Sequence, residues 1–144
     1  MAGLNASIEI RRPVADVFAF FEDLENSVVR TDPVVRSVVR TTTGPIAAGS
    51  TYRFRQRAMG RVRDQEVHVL AVEPNRRIQL EAAFGPVRPV LDLLFEPTSH
   101  GSRLTVHGDS RPIGPFRLLT PLIDLVGERN WRRRLELIKA RLER

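Results

Sequence analysis

The chain has 144 residues, 42% hydrophobic and 28% charged, with a formal charge of +6 and no cysteine. These values fit one soluble globular domain over residues 1–144 and exclude disulfide staples, thiolate metal sites and cysteine nucleophiles. With no secretory-type apolar run at the start and no stretch of about 18 uncharged apolar residues, a cytoplasmic location is expected.

Ser7-Ile8-Glu9-Ile10 predicts a short strand, and Pro13 then stands where proline favours the first turn of a helix. Val14, Val17, Phe18 and Phe21 follow at i, i+3, i+4 and i+7, one helical face. Asp16 falls in the first turn, where a carboxylate suits the helix dipole. Residues 25–33, with Asn26-Ser27 and Asp32-Pro33 as turn signals, read as a loop or a short second helix. A β-branched run over 34–42, ended by Gly44-Pro45, predicts a strand.

The clearest strand follows Gly49: Tyr52, Phe54, Gln56 and Ala58 alternate with Arg53, Arg55 and Arg57. One face is apolar and aromatic, the other a row of guanidiniums, as in an antiparallel sheet with one covered and one wet side. Strands over 61–73, 77–83, 87–95 and 102–111 complete a meander whose short connections impose antiparallel pairing. From Arg111 to the end the chain reads as one long helix. Leu119, Leu122, Ile123 and Val126 share a face of it, while Trp131, Leu135, Ile138 and Leu142 share another, so the apolar stripe shifts across Gly127. Either the helix bends there or its halves pack on different surfaces.

The ordered set of motifs carries a family resemblance: 8–18 (Ile8-Glu9-Ile10 through Pro13 to Val17-Phe18), Ala48-Gly49-Ser50-Thr51-Tyr52, Val72-Glu73-Pro74-Asn75, Phe95-Glu96-Pro97 with Gly101-Ser102, and Arg111-Pro112. Together these resemble the START-like (SRPBCC) superfamily, most of all its polyketide cyclase/dehydrase branch. The resemblance covers residues 7–144. It implies an α+β helix-grip fold, a curved antiparallel sheet of about seven strands wrapped around the C-terminal helix, with an apolar cavity for a lipid-, sterol- or polyketide-like molecule. Many members carry a tryptophan in the second-helix region before a proline. Here residues 26–33 keep Pro33 and lack the aromatic. No catalytic residue is carried over from the family.

By alternation, the expected lining is Tyr52, Phe54, Gln56, Leu91, Leu93, Phe95, Leu104, Val106 and Gly108 from the strands. From the helix it is Leu119, Leu122, Ile123, Val126 and Asn130. Core and apolar pocket share this pattern and differ only in volume. Tyr52, Gln56 and Asn130 are polar handles on an apolar face and need partners. His68, His100 and His107 read as outward or solvated, and Asp64 and Glu66 as cross-strand partners of the arginine row. No metal or cofactor is expected.

Seven of the 23 basic residues, all arginine except Lys139, crowd into 129–144 beside Glu136 and Glu143. Without interleaved aromatics this basic end argues against nucleic acid. Three functions remain open: binding of a small hydrophobic ligand, polyketide cyclase/dehydrase-type catalysis in the same cavity, or partner contact through the basic helix. A homodimer is compatible with each.

Overall fold

The computed structural model describes residues 3–58, 60–83 and 87–144. The chain order is β1 (Leu4–Ile10), α1 (Val14–Glu22), α2 (Leu24–Thr31), β2 (Val35–Arg40), β3 (Thr51–Ala58), β4 (Arg61–Glu73), β5 (Arg77–Ala83), β6 (Val90–Thr98), β7 (Gly101–Asp109), a 3-10 turn over Gly114–Leu119 and α3 (Thr120–Leu142). The strands form one antiparallel sheet in the order β1-β7-β6-β5-β4-β3-β2, so the first strand closes against the last and the rest is a meander.

Alternation decides which side of the sheet is covered. On β5, β6 and β7 the buried side chains are Ile78, Leu80, Ala82; Leu91, Leu93, Phe95; and Ser102, Leu104, Val106. α1 caps one end of that face with Val17, Phe18, Phe20 and Phe21, and Phe18 and Phe21 meet Phe95 edge-on at 5.2 and 5.5 Å. α2 lies over β2, and α3 runs along β1. On the opposite face, Arg55 pairs with Asp64 at 3.0 Å and Arg53 with Glu66 at 3.9 Å, the cross-strand pairs that the alternation implies.

Three sequence expectations change. The sixth strand begins at Val90 rather than Val87, which makes only an isolated bridge to Pro112, and it continues through Pro97 to Thr98. Pro97 is tolerated because β5 pairs no further along β6 than Leu94, so no neighbour waits on that side for the missing N–H. The helix α1 also buries Phe20, which lies off the stripe read from the sequence.

The third change is the largest. α3 presents one continuous inward stripe, Asp124, Gly127, Trp131, Leu135, Ile138 and Leu142, and does not change faces at Gly127. Gly127 lies over Leu4, with room for a methyl group in ordinary contact with Leu4 Cδ2, and buried Asp124 accepts a 2.6 Å hydrogen bond from Ser110 Oγ. The leucines of the helix's first half therefore point elsewhere.

Thr98 pairs with Gly101 across a two-residue turn, and Gly101 (φ +154°) sits against the end of β1. A Cβ there would run into the Ile10 carbonyl oxygen and lie 2.8 Å from the Arg12 nitrogen. Both obstacles are backbone. Gly101→Ala is expected to lose about 2–3 kcal/mol in urea unfolding, from backbone strain plus overpacking. An unchanged midpoint would show that the β1–β7 junction yields easily.

Candidate functional site

The concave side of the sheet brings most of the expected strand residues together. Tyr52, Phe54, Leu91, Leu93, Phe95, Leu104 and Val106 are all buried in one cluster. Gly108 serves packing: a Cβ there would run into Leu91 and lie 3.2 Å from Leu4 Cδ2. Gln56, half-buried, is already satisfied, donating from Nε2 to Gln65 Oε1 at 2.6 Å.

The helix residues stand differently. Leu119, Leu122, Val126 and Asn130 are exposed, and only Ile123 is half-buried. They do not face the sheet, because the inward stripe of α3 is the one built on Asp124, Gly127 and Trp131. Asn130, in solvent, is no buried polar handle.

Of the three handles Tyr52 remains, and the structure gives it two companions. Arg40 lies directly across from Tyr52 on β2, with its guanidinium carbon 5.8 Å from the centre of the Tyr52 ring. From α2, Glu25 acts on the same phenol: burial pushes the Tyr52 hydroxyl above its ordinary pKa, the Arg40 charge opposes this, and the Glu25 carboxylate reinforces it. Tyr52 is only 1% exposed. Tyr52 Oη, Arg40 Nε and Nη2, and Glu25 Oε1 are all buried and have no hydrogen-bond partner among the described residues. The surrounding side chains from β2 and β3, Val38 and Phe54, are apolar.

Both added residues had a sequence signal. β2 pairs irregularly between Val35 and Ser37, and that bulge puts Val35, Val38 and Arg40 on one face. Counting from Val38 alone places Arg40 inward, two residues on. Glu25 stands beside Leu24 and three residues before Val28, the two buried positions of α2, so helical spacing sets it at the edge of the covered face.

A second feature fixes α2 against α3. Asp32, 1% exposed, follows α2 directly and receives Arg133 Nη1 and Nη2 at 3.2 and 3.3 Å and Arg134 Nε at 3.1 Å. Arg134 also lies 5.0 Å over the Trp131 ring. Two arginines of the basic run, the exposed Arg133 and the half-buried Arg134, thus fasten α3 to the end of α2. Lys139 likewise bonds the Glu9 carbonyl and Glu143. Reversing Arg133 and Arg134 would therefore unfasten the fold before it tested partner contact through the basic helix.

A recess of about 440 Å³ opens between α1, α2 and the end of α3, lined by Arg12, Asp16, Phe20, Arg30, Arg141 and Leu142 among others. It is open, mixes both charge signs and does not touch the Tyr52 group. His68 lies 3.6 Å from Glu66 with its side chain partly exposed, and His100 and His107 are exposed. Among the described residues no group of three or more histidines or carboxylates is placed to hold a metal ion, and no helix is long and apolar enough to cross a membrane.

A family model described as polyketide cyclase / dehydrase and lipid transport matches residues 1–143. The chain belongs to that family. Solved structures with the helix-grip fold agree with the sheet and long C-terminal helix seen here. TTHA0849 from Thermus thermophilus is 20% identical with TM-score 0.75, covering 96% of this chain and 95% of its own. The di-domain ARO/CYC BexL from the BE-7585A biosynthetic pathway is 19% identical with TM-score 0.81, and this cyclase/lipid-transport family chain spans 97% of itself but 46% of BexL. Ara h 8.0201 shares 11% identity with TM-score 0.77, over 96% of this chain and 95% of its own. At these identities the likeness is one of fold. No curated protein matches the chain.

Proposed function

We propose that the chain acts as one cytoplasmic unit that binds a small, largely apolar molecule between the concave sheet, α2 and α3. Glu25, Arg40 and Tyr52 hold the oxygen-bearing end of that molecule. The observation that supports this is the set of four buried polar atoms without partners in an otherwise apolar region. A buried donor or acceptor left unmade costs about 1–3 kcal/mol, and more when charged, so such a group calls for an occupant that completes it.

The donor set specifies that occupant. Arg40 offers only N–H donors, Glu25 only acceptors, and the Tyr52 hydroxyl can do either. The complement is a ligand presenting one acceptor oxygen and one O–H. Because Arg40 and Glu25 have opposite charges, the fitting ligand is neutral: a hydroxyl with a carbonyl on a hydrophobic skeleton, as polyketide- and sterol-like molecules carry. Tyr52, Phe54, Leu91, Leu93, Phe95, Leu104 and Val106 supply the apolar part of the site.

The test pairs native mass spectrometry of the purified protein with titration of two probes, a hydroxytetralone and tetralin, which share a ring system and differ in the two oxygens. A co-purified hydrophobic molecule is expected, and about tenfold or more tighter binding of the oxygenated probe, since hydrogen bonds to charged groups contribute about 1.5–3 kcal/mol. Equal affinities would overturn the polar-end assignment. A clean apo mass together with no binding of either probe would overturn the reading itself.

One observation favours a second, catalytic reading: the Arg40 guanidinium lies against the Tyr52 ring, and the charges of Arg40 and Glu25 both act on its phenol. Arg40 would polarise a carbonyl while Glu25 takes a proton from the adjacent carbon, which suffices to start ring closure of a chain held in shape. Under that reading Glu25→Gln abolishes turnover of a ketide mimic and leaves hydroxytetralone affinity within a few-fold.

A further inference from the structure

Of ten large apolar side chains exposed among the described residues, seven lie between Ile113 and Val126. They do not sit in a groove. Leu118 is 87% exposed and Leu122 56%, so the 3-10 turn and the first turns of α3 form a ridge that stands out from the fold. Phe116, Leu119, Leu125 and Val126 flank them. The ridge is stiff, because Pro112, Pro115 and Pro121 fix its backbone and Gly114 (φ +60°) makes the turn into it.

The unpaired charges around it are basic. Arg117 and Arg129 are exposed and have no carboxylate partner among the described residues, and Arg111 has only Asp109 at 3.9 Å. The acids of the same segment are withdrawn. Asp124 is buried on Ser110, and Glu128 accepts from the Asn5 N–H at 3.2 Å and pairs with Arg132 at 3.5 Å. A contiguous exposed apolar patch marks an interaction surface.

We propose that this ridge docks the protein on an anionic lipid surface, with the leucines entering the headgroup–acyl boundary and Arg117 and Arg129 on the lipid phosphates. Apolar residues flanked by unpaired exposed arginines are the pattern of an interfacial segment, whose long side chains keep their charge at headgroup level. A second copy of the chain fits worse. A two-fold contact sets the same patch against itself, arginine against arginine, with no carboxylate between. The inference does not depend on what the interior binds.

The experiment is co-sedimentation with vesicles of phosphatidylcholine alone and of phosphatidylcholine mixed with phosphatidylglycerol, at low and high salt, alongside light scattering of the free protein. Binding to the mixed vesicles is expected, weakened by salt. Leu118→Ser combined with Leu122→Ser should reduce it at least tenfold while leaving the melting temperature unchanged, since both side chains stand in solvent. Arg117→Gln should weaken it about fivefold, from roughly 1 kcal/mol per basic residue at an anionic surface. Arg57→Gln, on the convex face, should not alter it. No binding to the mixed vesicles, or undiminished binding by the double serine variant, would overturn the proposal. A dimer that dissociates in the serine variant without any vesicle binding would overturn it in favour of self-association.

Discussion

Asp32→Asn is expected to remove about 3–5 kcal/mol of stability, the range found when one partner of a buried ion pair is deleted. The carboxylate is 1% exposed and carries three guanidinium contacts, and Asn cannot neutralise them. Arg134, held between Asp32 and the Trp131 ring, is left as an uncompensated charge. Against a total of about 5–15 kcal/mol for a domain of this kind, the loss is large. Differential scanning calorimetry should show it as a fall of about 10–15 °C in Tm.

The same group sets the acid limit. Burial alone would raise the Asp32 carboxyl, but the Arg134 charge, the Arg133 hydrogen bonds and the Val34 N–H outweigh it and hold the carboxyl below its ordinary range. A depressed folded-state pKa means that the stabilisation is complete above the unfolded value, about 3.9 for aspartate, and drains away as pH falls through the folded value. The parent protein should therefore lose stability steeply below about pH 4, and Asp32→Asn should flatten that slope. Replacing Arg134 by Met in the Asp32→Asn background should restore part of the loss, because an apolar substitute for the whole pair costs little. A double variant no better than the single one would show that the asparagine, and not the stranded guanidinium, does the damage.

This cluster also shows where sequence reading stops. The meander was legible because each strand announces itself locally, by alternation and by punctuation such as Gly44-Pro45 or Pro74-Asn75. Tyr52 was legible as a polar group on an apolar face for the same reason. Asp32 and Arg134 are 102 positions apart, and no local pattern ties a turn aspartate to a helix arginine. α3 failed for a different reason. Its first half has apolar residues on more than one side, and periodicity cannot say which side is buried. Packing decides, through Gly127 over Leu4 and Asp124 on Ser110, both of which look like poor core positions in a sequence. The leucines left outside became the exposed ridge.

Arg40→Met is expected to move binding and stability in opposite directions. If Arg40 holds a ligand oxygen, losing its charge-assisted hydrogen bonds weakens the hydroxytetralone by about 10–150-fold. Tyr52→Phe, which deletes a single neutral hydroxyl, should weaken it about 2–12-fold. In the unliganded protein neither atom set has a hydrogen-bond partner to lose among the described residues. Phe at position 52 keeps the ring and removes a buried, unsatisfied hydroxyl, so the empty protein should gain about 1 kcal/mol or more. Met at position 40 removes two buried unpartnered nitrogens, each costing about 1–3 kcal/mol, which outweighs the roughly 0.5–2 kcal/mol of the cation–ring contact with Tyr52 at 5.8 Å. Residues kept at a cost to the empty fold and recovered on binding are the mark of a functional site. Were Arg40 and Tyr52 merely packing on each other, both variants would instead lower the urea midpoint and leave probe affinity where it was.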